Sequence, residues 1–138
     1  MSDSEDFTRL VLWQKSQQLA AEIVATVAVL PRNRAADIIG SQVMRSAGSI
    51  PANIAEGYGR FSQPAYRNHL SIARGSAFET QSWLDLLHRS GFIDDASKAR
   101  LTEACREVGR LLTLRMKSLS NGQQTYAREE SEGYRVDD

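Results

Sequence analysis

Ser62-Gln-Pro-Ala-Tyr66-Arg-Asn-His-Leu70-Ser-Ile-Ala73-Arg-Gly-Ser-Ala77-Phe-Glu-Thr80-Gln-Ser-Trp-Leu84-Asp-Leu-Leu87-His-Arg-Ser-Gly91 is a helix written with its punctuation. Ser62 is an N-cap, its hydroxyl suited to accept from the amides of the first turn. Pro64 follows in that turn, where its missing N–H does no harm. Tyr66, Leu70, Ala73, Ala77, Thr80, Leu84 and Leu87 recur at alternating steps of four and three, which keeps one stripe facing a neighbouring helix. The helix continues to Ser90, and Gly91 is the residue type that tolerates the left-handed turn after a helix end.

Three more segments have the same character. Upstream, Asn33 is an N-cap for a helix carrying Ala36, Gly40, Val43, Ala47, Ile50 and Ile54, closed by Gly57 and Gly59. Pro51 lies inside it. A proline costs roughly 3 kcal/mol in a regular helix, so the reading is a kink near Ala47 or a division into two shorter helices. The first helix spans about Leu10 to Val29, with Leu12, Leu19, Ile23 and Leu30 on one stripe and Pro31 beyond its end. The fourth takes Asp94 or Asp95 as cap and runs to about Leu119. It turns Leu101, Cys105, Val108, Leu112 and Leu119 inward and carries Arg106, Arg110, Arg115 and Lys117 toward its end, where cations suit the helix dipole. No intervening stretch reads as a strand. Long helices joined by short connections place neighbours antiparallel, so the predicted fold is all-α, an up-down-up-down antiparallel four-helix bundle over residues 10–120. It is flanked by an acidic N-terminal segment, 1–9, and a disordered acidic tail, 121–138.

The 138 residues suit one domain, and hydrophobic and charged shares of 41% and 25% are those of an ordinary globular protein. A single cysteine cannot form an internal disulfide or a cysteine-based zinc site, which points to a reducing cytoplasm. The acidic start lacks the basic region of an export signal. The longest apolar stretch, Leu19 to Leu30, is interrupted by Glu22 and too short to span a bilayer, so no membrane association is expected.

A formal net charge of +0 conceals segregation. Three acids and no base precede Phe7, and five acids face Arg128 and Arg135 after Ser120, so the body between them carries a surplus of +6. Most of its bases are arginines, whose planar forks suit phosphate and stack on nucleobases; the alternative is a helical surface of ordinary ion pairs. Arg60, Arg67, Arg74, Arg89, Arg106, Arg110 and Arg115 are the candidate phosphate contacts, several of them off the apolar seams. A second function class is a protein–protein adaptor, with Trp13, Phe61, Phe78, Trp83 and Phe92 as anchors.

Chemistry finds little footing. A bundle di-metal centre needs two acid-x-x-His motifs, and the chain offers one approximate match, Asp85-Leu-Leu-His88, since His69 is preceded by Tyr66 at that spacing. Gly57-Tyr-Gly59 follows a helix and lacks the later glycine and lysine of a phosphate loop. Cys105 lies on a core seam. No catalytic residue, cofactor or metal site is expected, and a metal-dependent enzyme ranks last. Around Arg45 to Arg60 the small residues permit close backbone approach. Glu56 or Asn53 is read as satisfying the amides that start the third helix, with Arg60 as counter-ion, and Arg45 and Glu79 as a buried ion pair.

Leu12-Trp-Gln-Lys15, Gln42 with Arg45, Ser49-Ile-Pro-Ala-Asn53-Ile-Ala-Glu56-Gly57 with Arg60, Ala73-Arg-Gly-Ser76 with Glu79, and Gly91-Phe-Ile93 resemble, in order and spacing, the bacterial four-helix-bundle family of 23S rRNA intervening-sequence proteins. The likeness covers about Leu10 to Leu119. It implies a protomer of a homopentameric ring with no assigned enzyme activity and an undefined cellular role. In that motif Arg45, Asn53, Glu56, Gly57 and Glu79 are bundle-defining positions. A relative, the accessory variability determinant of diversity-generating retroelements, is a basic pentameric barrel that binds nucleic acid and a reverse transcriptase. Gly48 and Gly59 depart from the family pattern and are expected to loosen the end of the second helix, and the acidic tail is a candidate cover for a basic surface.

Overall fold

The computed structural model describes residues 6–120; the acidic tail expected at 121–138 lies outside them. A 3₁₀ turn, Phe7–Arg9, leads into four long helices: α1 (Val11–Ala28), α2 (Arg34–Tyr58), α3 (Gln63–Arg89) and α4 (Asp95–Ser120). Among the described residues there is no strand, and no helix is long and apolar enough to cross a membrane.

The ends are set by the residues that mark them in the sequence. Asn33 Oδ1 accepts from the Ala36 amide at 2.9 Å, Ser62 Oγ from Ala65 at 3.2 Å, and Asp94 Oδ1 from Ser97 at 2.8 Å. Each satisfies one of the amides that a first helical turn leaves without an intrahelical partner. Asp94, rather than Asp95, therefore caps α4. At the far end of α3 Gly91 has φ +77°, the Phe92 amide reaches back to the Leu87 carbonyl at 2.9 Å, and the Gly91 amide reaches that of His88 at 3.0 Å. This pair of bonds is a Schellman stop. The half-buried Phe92 ring then packs on the core beside it.

The α3 seam is buried at every predicted position, from Tyr66 to Leu87. It meets Leu12, Leu19 and Ile23 of α1, Val43, Ala47, Ile50 and Ile54 of α2, and Leu101, Cys105, Val108, Leu112 and Leu119 of α4 in one apolar cluster. Each helix packs on its neighbours in sequence, and α1 also packs on α4. Pro51 is buried within α2, which runs unbroken from Arg34 to Tyr58, so the division into two helices does not occur. α2 also continues past Gly48 through Gly57, and the expected loosening leaves no break there.

α2 and α3 are the most extensively packed pair. Their contacts run in opposite sequence order: Arg45 with Glu79, Ser46 Oγ with Thr80 Oγ1 at 2.9 Å, Ser49 with Ser76 at 3.0 Å, and Asn53 with His69 at 3.1 Å. Small side chains let the backbones close, and the hydroxyls they bring inside pair with one another. At Gly57 the approach is limiting. A Cβ there would lie 2.7 Å from His69 Cβ and 3.0 Å from the Tyr66 ring. At Gly48 a Cβ would meet nothing within 4 Å.

Two substitutions separate these cases. Gly57→Ala should destabilise the protein by about 1–3 kcal/mol through overpacking against α3. Gly48→Ala should stabilise it by about 0.5–1 kcal/mol, because the open site gains helix propensity without a clash. Denaturant unfolding of both variants beside the parent checks the opposite signs.

Candidate nucleic-acid interface

The seven candidate arginines do not form one surface. Arg115 is removed from the set. It is 0% exposed, on the core side of α4 with Leu112 and Leu119, and cannot reach a phosphate on the protein surface. Arg60 stands just beyond α2 and Arg89 ends α3; each is bound four residues back, Arg60 to Glu56 at 2.6 Å and Arg89 to Asp85 at 2.6 Å. These are exposed pairs with their charge matched locally.

The remaining four converge where α3 faces α4. Gln63 and Arg67 reach across to the last turns of α4, where Gln63 Nε2 donates to the Leu119 carbonyl and Arg67 Nε to the Met116 carbonyl at 3.2 Å. The Leu119 carbonyl is among the last four of α4, which lack partners within the helix. Farther along, Arg74 Nε donates to Thr113 Oγ1 at 2.8 Å, and its guanidinium lies 4.9 Å from the centre of the Phe78 ring, within cation–π range. Arg106 and Arg110 approach from α4. Arg110 bonds Glu103 at 3.1 Å, whereas Arg106 and Arg74 have no carboxylate partner among the described residues.

Between the helices lies a groove of about 400 Å³, floored by Ala77, Cys105 and Gly109, walled by Phe78 and Leu114 and rimmed by Arg74, Arg106 and Arg110, with Gln81 and Thr113 completing it. No acidic side chain lines it. Cys105 is 2% exposed, and burial pushes its thiol up to about 12, which suppresses the thiolate that a nucleophile requires. The groove thus combines a cationic rim with an apolar floor and walls.

The five aromatic candidates also separate. Trp13, Trp83 and Phe92 pack against the core, Trp13 with Phe7 edge-on at 5.2 Å. Phe61 is fully exposed in the α2–α3 turn, and Phe78 is 54% exposed at the groove. Phe78, Gly109, Thr113 and Leu114 were not grouped by sequence reasoning. The signal that joins them is the order of contacts between α3 and α4, in which residue numbers rise along one helix as they fall along the other.

The motif residues form the inner face of the α2–α3 contact. Arg45 and Glu79 do pair, but with side chains 58% and 39% exposed, so the pair lies at the edge of the contact rather than buried. The neighbouring helix surface ends there and water reaches both groups. The Trp83 indole N–H, donating to Glu79 at 3.0 Å, and then the Arg45 guanidinium hold the Glu79 carboxyl below the ordinary range. Asn53 does not cap α3; Ser62 does, accepting from the Ala65 amide. The Asn53 amide N–H donates to the Ser49 carbonyl at 2.9 Å, and its Oδ1 accepts from His69. Glu56 binds Arg60, with His69 Nε2 3.8 Å away.

The approximate metal motif is absorbed by ion pairs. Asp85 holds Arg89 and, at 3.3 Å, Lys98, while His88 Nε2 meets Asp95 at 2.6 Å. The bonded Arg89 and then Lys98 lower the Asp85 carboxyl's pKa. Among the described residues no three His, Cys, Asp or Glu side chains cluster as metal ligands.

No curated protein matches the chain. A solved structure that it resembles is that of a protein of unknown function from the S23 ribosomal protein family of Bacteroides thetaiotaomicron, 32% identical, with 78% of this chain and 99% of that one aligned and a TM-score of 0.73. Residues 8–114 match the family described as 23S rRNA-intervening sequence protein, a span that takes in α1, α2, α3 and most of α4. Carrying that match together with this structural likeness, the chain belongs to the family of 23S rRNA-intervening sequence proteins.

Proposed function

We propose that the chain is a binding protein without a catalytic centre, an up-down-up-down antiparallel bundle that assembles into a homo-oligomeric ring, a pentamer, and holds nucleic acid on its α3–α4 face. The observation that carries this reading is the groove between those helices, with three arginines on its rim and no carboxylate in its lining. Phosphate binding draws on guanidinium groups without a carboxylate partner, here those of Arg74 and Arg106 among the described residues, and each contact releases condensed counterions. Arg67, Arg74, Arg106 and Arg110 are the phosphate contacts on this reading. Arg110 makes its contact by releasing Glu103, and Arg60 and Arg89 contribute only where a phosphate displaces their carboxylates.

The opposite side of the protomer suits subunit contact. Val24 and Val29 of the α1 region and Ile38 of α2 are uncovered, Val29 by 81%. Apolar side chains left open in a small domain favour a partner surface. A cytoplasmic setting agrees with a single cysteine that is buried. A second reading, a protein adaptor, is favoured by Phe61, which stands fully exposed in the α2–α3 turn; a partner retained by the wild type after nuclease treatment and lost with Phe61→Ala would support it.

Two measurements test the main reading. Light scattering at micromolar protein should return a mass near five times the 15.4 kDa of one chain, and a monomer mass would remove the ring. Oligonucleotide affinity should fall steeply with salt, and Arg106→Gln should weaken it across sequences and flatten the logarithmic salt slope by about one. Binding that is undetectable at low salt, or indifferent to salt, would sink the nucleic-acid assignment.

A further inference from the structure

Deepening the nucleic-acid reading, on which it rests, we infer that the α3–α4 groove takes an unpaired base, so that the protein selects single-stranded over duplex nucleic acid. The charge of the groove and its shape argue for different parts of one ligand. Its rim is cationic and its lining contains no acid, so the occupant brings negative charge. Its floor and walls, Ala77, Phe78, Cys105, Gly109 and Leu114, are apolar, so the occupant also brings a flat or apolar body. A nucleotide with an exposed base has both.

A duplex supplies only half of this. Its base faces are covered by stacking, and it offers the rim phosphates while leaving Phe78 and Leu114 in water. An unpaired base has two open faces, and base–aromatic stacking beside a cationic track is how single strands are held without sequence preference. The groove's volume, about 400 Å³, lies within the roughly 300–1,000 Å³ of small-ligand clefts.

Phe78 is positioned for that task. It remains 54% exposed although the Arg74 guanidinium sits 4.9 Å from its centre, and Arg74 is itself tethered to Thr113. The ring is thereby held by a cation on one side and open on another, and a guanidinium plane is a second stacking surface for a base. Gly109 keeps the floor low. A Cβ built there meets nothing within 4 Å, so the glycine is not required by close helix packing, and the space above it belongs to the groove.

The test uses the full chain and three labelled probes of equal length: single-stranded oligothymidylate, the same strand paired with oligoadenylate, and an abasic phosphodiester strand. The single strand should bind more tightly than the duplex and the abasic strand at one salt concentration. Phe78→Ala should weaken the single strand roughly 5- to 150-fold, the effect of one lost stack, and leave the other two unchanged. Phe78→Tyr should retain binding, and Gly109→Leu, which fills the groove from α4, should reproduce the loss. Circular dichroism confirms folding, which an exposed Phe78 does not control. Equal binding of all three probes with a normal salt slope overturns the base pocket while sparing the phosphate surface. Binding of none removes both. Unchanged oligothymidylate affinity in Phe78→Ala together with an altered oligomer mass would overturn it too, assigning the groove to a protein contact.

Discussion

The closeness of α2 to α3 is the constraint from which the other relations follow. At Gly57 no side chain fits between α2 and the His69 and Tyr66 side chains. Farther along, Ser46 and Thr80, then Ser49 and Ser76, meet through hydroxyls. Backbones this close cannot slide, because a shift of one residue would drive a Cβ into the opposing helix and leave buried hydroxyls without partners. The polar contacts thus stabilise modestly but select register strongly. Pro51 is buried in the same helix, beside Ile50 and Ile54 of the apolar cluster.

Fixing α3 against α2 determines what α3 presents on its other flank. The residues toward α4 include Arg67, Arg74 and Phe78, and α4 meets them with Gly109, Thr113 and the carbonyls of its last turns. Gly109 performs a different role from Gly57. At Gly57 the missing side chain admits a helix, and at Gly109 it leaves open volume. The α3–α4 pair therefore has a groove where the α2–α3 pair has a seam.

Periodicity made the core legible. The seven α3 positions, the caps Asn33 and Ser62, and the Gly91 stop follow from local rules that tertiary packing did not override. Arg115 shows where that reading failed, and the failure is instructive because the spacing was correct. Leu112, Arg115 and Leu119 continue the α4 seam at steps of three and four, so the period placed Arg115 inside, while its charge argued for the surface. Arg115 nonetheless occupies the core position with its whole side chain buried, and residue type proved the weaker guide. Arg45 and Glu79 show the complementary limit. Their register was readable from the helix turn, but exposure depends on how far the neighbouring surface extends, which no local pattern records. The groove was invisible for the same reason, since its members lie on two helices and only the α3–α4 register unites them.

The charge segregation seen along the chain recurs in space at finer grain. On the side where α1 meets α4, Lys15 pairs with Glu107 and Arg100 with Glu22, so that seam is neutralised. At the junction of α3 with the start of α4, Asp85 is shared between Arg89 and Lys98. These bridges are exposed, and each contributes little to stability. Their larger consequence is where they leave the acids. α4 commits Glu107 to α1 and Glu103 to one arginine, leaving no carboxylate beside Arg106 or Arg74 in the groove. A chain of zero formal charge thus acquires a locally cationic face at Arg74 and Arg106, because helix register assigns Glu107 to Lys15 and Glu103 to Arg110.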